Sequence, residues 1–108
     1  MISMLLAGLV AATSPPTADV GDASRAYRGC LDDAAAGRDD GRTNPRFLAR
    51  RVALQCRPEL VRLVSAATAD RTNLVREQLY QEKLGEEEAA AQAAILRHRQ
   101  AGTAPAGN

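Results

Sequence analysis

The sequence predicts an all-α protein: a disulfide-stapled antiparallel helical hairpin, its second helix kinked at Pro58, followed by a long C-terminal helix. Three observations carry this. Apolar residues recur at steps of three and four with no strand-like alternation anywhere. Alanine is abundant, and it is the best helix former and the smallest packing residue. The two cysteines, Cys30 and Cys56, fall on the apolar stripes of two different predicted helices.

Residues 1–12 (MISMLLAGLVAA) are uncharged and mostly apolar. The run is too short to cross a bilayer, which takes about 20 apolar residues, but it fits the apolar region of a secretory signal. Val10-Ala11-Ala12 places small side chains where a signal peptidase reads them, so cleavage is expected before Thr13. A buried first helix of a cytosolic protein is the alternative. Leu9 stands where a lipoprotein signal needs a cysteine, which excludes a lipid anchor. Residues 13–18 (TSPPTA) then form a tether.

The first helix starts at Asp19 or Asp22 as cap and carries Val20, Ala23, Tyr27, Cys30 or Leu31, and Ala34 on one face. Gly37 is a natural stop. The turn Arg38–Thr43 (RDDGRT) follows, centred on Asp39-Asp40-Gly41. Asn44 is a strong N-cap, with Pro45 at the first helical position, where a missing N–H is harmless. The next stripe runs Phe47, Leu48, Val52, Cys56, Leu60, Leu63, Val64 and Ala67. Pro58 falls inside it, and a mid-helix proline is disfavoured by about 3 kcal/mol. The apolar phase nevertheless continues, which implies one kinked helix or two abutting helices sharing a face.

Residues 68–73 (TADRTN) break the chain again, with Asp70, Thr72 or Asn73 as caps. Leu74, Val75, Leu79 and Tyr80 open the last helix, and Leu84, Ile95 and Leu96 continue it. Gly85 followed by three glutamates could restart a helix, but one glycine is disfavoured by only about 1 kcal/mol, which favours a single long element. Residues 19–100 thus form one helical domain, and residues 101–108 a disordered tail.

Thr13–Asn108 contains 96 residues, of which 16 are Leu, Ile, Val or Phe. So small an apolar complement makes a staple valuable. The turn between the first two helices sets them antiparallel, and this brings Cys30 and Cys56 to comparable heights. A structural disulfide follows, as an exported chain allows; two buried thiols or a redox pair are the alternatives.

The chemistry-bearing residues support no catalytic constellation. His98 is the single histidine, too few ligands are present for zinc, and the Asp39-Asp40-Gly41 turn lacks the alternating oxygens and closing glutamate of a calcium loop. No metal, cofactor or enzymatic role is expected. Fourteen basic against thirteen acidic side chains and three aromatics give no general attraction to nucleic acid. The charge is regional instead. Arg42, Arg46, Arg50, Arg51, Arg57 and Arg62 face a single acid, Glu59, in their segment, and the stretch from Glu77 to Glu88 holds five glutamates and Lys83. Either the acidic helix lies beside the basic one, or both are plain solvated surface, or Arg46, Arg50 and Arg57 face an anionic partner.

Tyr27 and Cys30, Asn44-Pro45, and Cys56 with Pro58 resemble the pattern of small exported two-cysteine helical proteins of GC-rich Gram-negative bacteria. That resemblance implies export and a helical fold and brings no activity with it. The size and single disulfide are also similar to those of periplasmic acid-stress chaperones, although Tyr27-Arg28-Gly29-Cys30 stands where those have a tryptophan motif. The functional expectation is a periplasmic or secreted protein that binds a macromolecule, an envelope protein or a second copy of itself, through Leu74, Val75, Leu79, Tyr80, Leu84, Ile95 and Leu96. An acid- or stress-responsive holdase is the alternative.

Overall fold

The computed structural model describes residues 19–103. The predicted signal, the tether and residues 104–108 lie outside them. The described residues form four helices and no strand: α1 (Val20–Arg38), α2 (Pro45–Gln55), α3 (Arg57–Ala67) and α4 (Asn73–Thr103). They make three rods running up, down and up, with α2 and α3 as the two halves of the middle rod.

Each boundary has a local cause. Asp19 caps α1 by accepting the Gly21 N–H. The helix passes Gly37 and closes at Asp39, whose N–H donates to Ala35 O at 2.9 Å. Gly41 supplies the positive φ (76°) that the following turn requires. Asn44 caps α2 through the Arg46 N–H, and Pro45 opens it as expected.

Pro58 does not kink a continuous helix. The middle rod breaks at Cys56 (φ −100°, ψ 10°), which ends α2 and starts α3, so Pro58 falls in a first turn whose N–H groups have no intrahelical acceptor anyway. Cys56 O takes up the restart by accepting from Glu59 N and Leu60 N, both at 3.1 Å. The joint keeps the apolar phase, since Val52, Cys56, Leu60 and Val64 are all essentially inaccessible.

Half of the buried apolar residues are alanines: Ala23, Ala34, Ala35, Ala49, Ala53, Ala91 and Ala94. Leu31, Leu48, Val52, Cys56 and Ile95 fill the space between these closely approaching backbones. Three stripe assignments change, the first being Ala67, which is exposed at the end of α3 while Thr68 beside it is buried. Phe47 is 72 % exposed, because Leu48 and Ala49 take the inward positions of that turn, and Val20 lies open at the free end of α1.

α4 is one helix of 31 residues that runs through Gly85 and into the stretch expected to be tail, residues 101–103. Its length is about 46 Å, against about 28 Å for the 19 residues of α1. The three-rod core therefore exists only beside the second half of α4, where Ala91, Ala94 and Ile95 are buried. The first half is accompanied by α3 alone.

Candidate functional site

Cys30 and Cys56 are joined, with Cα atoms 5.8 Å apart, so α1 is tied to the joint of the middle rod. Beside the joint, Arg57 turns inward against α4, its side chain 35 % exposed. Its guanidinium makes a two-pronged contact with Glu87 of α4, Nε donating to Oε2 at 2.9 Å and Nη2 to Oε1. The Glu87 side chain is only 9 % exposed. Glu87 in turn holds the Arg57 pKa above its ordinary value, and Tyr80 adds to this. Tyr27 completes the cluster; burial first, and the Glu87 charge second, push its hydroxyl pKa up.

The regional charge asymmetry thus resolves in part as pairing. Arg57 is removed from the anion-facing set by Glu87, and Arg50 reaches Glu88 at 3.5 Å from an exposed position. Arg46 makes no ion pair among the described residues and lines a shallow depression of about 610 Å³ with Phe47, Arg50, Glu88 and Gln92.

A second cluster fixes the far end of α4. The Asp39 carboxylate accepts from Arg99 Nη2 at 2.7 Å, from Arg99 Nε at 3.0 Å and from the Gly41 N–H at 2.9 Å; His98 Nδ1 stands 3.1 Å from it. Arg99 also donates to Thr43 O at 2.6 Å. Arg99 foremost, then the Gly41 N–H, hold the Asp39 carboxyl well below the usual carboxylate range. Asp40 is lowered to about 2 by the Thr43 hydroxyl and then by the N–H groups of Thr43 and Arg42. The acidic turn is thus a latch for α4. Sequence reasoning assigned His98 and Arg99 no partner and missed this. The available signal was the run Arg97-His98-Arg99, opposite in sign to the Asp39-Asp40 pair.

The seven residues assigned to an interaction surface divide. Ile95 is fully buried in the core, which corrects its place in that set. It projects toward α1 and α2 in the part of α4 where all three rods are present. Leu74 is 67 % exposed and Leu96 44 % exposed, and Val75, Leu79, Tyr80 and Leu84 are half-buried. A groove of about 330 Å³ lies between α3 and α4, lined by Val61, Val64, Ser65, Arg76, Glu77 and Tyr80. A second of about 320 Å³ is lined by residues that include Ala67, Thr68, Val75 and Leu79. One α-helix covers a single stripe of its neighbour, so α3 leaves both flanks of the α4 stripe accessible. Arg76 braces this end by donating from Nε to Thr68 Oγ1 at 3.1 Å. No helix among the described residues is long and apolar enough to cross a membrane.

No protein-family model, curated protein or solved structure matches the chain.

Proposed function

We propose that the protein is exported to an oxidising compartment, the periplasm or the medium, and acts by binding another macromolecule, without catalysis. The partner is an envelope protein or a second copy of this chain, held along the first half of α4. The observation that carries the reading is the contrast along one helix. Ala91, Ala94 and Ile95 are buried, while Leu74 is exposed and Val75, Leu79, Tyr80 and Leu84 are only half covered, with an open groove on either side of α3. Apolar surface left this way beside a well-filled core is where a partner gains the most from excluding water. The Cys30–Cys56 bond supports export, because such bonds persist where thiols are not kept reduced.

The test is a photo-cross-linking residue placed in living cells at position 74 or 79, with position 29 on α1 as control. Sedimentation velocity of the purified oxidised protein separates self-association from a foreign partner. A discrete adduct from positions 74 and 79 and none from 29 is the expected result. A monomer at every concentration, with no adduct from either α4 position, would overturn the reading.

An acid-opened holdase is the less favoured reading. It needs the rods to part as pH falls, and the Asp39–Arg99 latch opposes this until its carboxylate protonates, well below the ordinary carboxylate range.

A further inference from the structure

The middle rod has a second face whose composition differs from that of α4. Phe47, Leu54, Pro58 and Val61 follow one another at steps of seven, four and three residues, which keeps them on one side of a helix. That side is opposite the buried line Val52, Cys56, Leu60 and Val64. Since the buried phase is preserved across the joint at Cys56, the outer line is continuous too. Phe47 is 72 % exposed, Leu54 55 % and Val61 43 %. The ridge is about 21 Å long.

Arginines flank this ridge on both sides. Arg46 and Arg50 project along one flank, Arg51 and Arg62 along the other, and all four are exposed. Arg46 and Arg51 make no ion pair among the described residues. Arg50 and Arg62 have only solvent-exposed pairs, with Glu88 at 3.5 Å and Glu59 at 3.3 Å. The glutamates of the last helix, Glu77, Glu82 and Glu86, lie on a different rod. A chain of net charge +1 is therefore strongly sided, with an aromatic and two large aliphatic side chains in the middle of its basic side.

We propose that this outer face of α2 and α3 lies on an anionic phospholipid bilayer, with Phe47, Leu54 and Val61 entering the headgroup layer and the flanking arginines pairing with lipid phosphates. An apolar line bordered by cations is the arrangement that places a helix in the plane of a membrane interface. Arginine suits it because its planar guanidinium pairs with phosphate in a two-pronged geometry and its stem covers apolar surface. A highly charged acidic protein would use the arginines but has no need of an exposed phenyl ring between them. The face borders the α3–α4 groove at Val61 alone, and its test varies only Phe47, Arg46 and Arg51, which line neither groove beside α3, so either proposal can fail without the other.

The experiment is flotation of the oxidised full chain, as isolated from cells, with vesicles of equimolar phosphatidylglycerol and phosphatidylcholine, and with phosphatidylcholine alone. Every variant is compared with its parent of identical N-terminus, so whatever precedes the helices contributes equally. Binding is expected to the anionic vesicles and to weaken as salt rises. R46Q/R51Q should lower the partition coefficient about twenty-five-fold, at about fivefold per arginine. The control R25Q/R28Q, of the same net charge but on α1, should leave it unchanged. Phe47→Ser should lower it with no change in net charge. All these positions are exposed, and an unchanged circular dichroism spectrum confirms that each variant folds.

Three results would overturn the proposal: no partition into anionic vesicles, equal partition into both compositions, or equal losses for the α1 control and the face variant. Binding of soluble polyglutamate that Phe47→Ser leaves at the parental level, without vesicle binding, would assign the face to an acidic protein instead.

Discussion

Removing the disulfide should cost this protein most of its stability. The bond closes a loop of sequence separation 26, and chain entropy alone then assigns it about 3.5 kcal/mol at room temperature. Small domains carry a total of about 5–10 kcal/mol. Half of the buried apolar residues here are alanines, and each of them buries little area, so the lower end of that range applies. The perturbation is C30A/C56A, since serine would bury a hydroxyl at position 56, which is fully inaccessible. For a domain of this length each kcal/mol shifts Tm by about 4–8 °C, so the fall should be about 14–28 °C. Thermal and urea melts followed by far-ultraviolet circular dichroism measure it. The reduced wild-type chain should melt close to the double variant, because both lose the same constraint on the unfolded state. The urea m-value should rise in both, as an unlinked chain exposes more surface on unfolding. A fall of less than about 5 °C would refute the reasoning and show that the alanine-rich contacts hold the rods without the staple.

Three further outcomes follow from particular contacts. Arg57→Met leaves the Glu87 carboxylate 9 % exposed and unpaired and should destabilise by about 3 kcal/mol, whereas R57M/E87L should lie within about 1 kcal/mol of the parent; additive losses in urea melts would contradict this. Asp39 has the lower pKa in the folded state, so its contribution is complete above about pH 4 and is lost as pH falls from there through the folded value. Asp39→Asn should therefore flatten the acid limb of the stability–pH curve, and an unchanged limb would remove the latch from the account. Ile95→Ala, at a fully buried position, should be destabilising by about 2–5 kcal/mol, while Leu96→Ala beside it should change stability by only about 0.5 kcal/mol; equal effects would place the core on the wrong face of α4.

Most of the helical framework was readable because each element carries its own local chemistry. Asn44-Pro45 announces α2, Asp19 caps α1, and the four-residue phase through Val52, Cys56, Leu60 and Val64 shows one shared face across Pro58, although it left a kinked helix and two abutting helices both open. The two cysteines could be paired because a short polar turn leaves their helices only one relative direction. What periodicity could not supply was the register of α4 against the other rods. Leu74, Leu84 and Ile95 are equivalent as letters in a stripe, and their burial depends on α1 ending beside the second half of α4. The same limit hid the latch, since Asp39 and Arg99 are brought together by three rods meeting at one end. The inward turn of Arg57 has a similar origin, because Glu87 becomes its partner only when α4 lies antiparallel to α2 and α3.

The intact mass of the native protein isolated from cells, with and without alkylation and with and without reduction, tests the account most directly. The expected mass is that of Thr13–Asn108 less two hydrogens, with no alkylation until the protein is reduced. A chain that retains its first twelve residues and takes up two alkyl groups without reduction would contradict both the export and the staple, and with them the compartment in which the proposed partners reside.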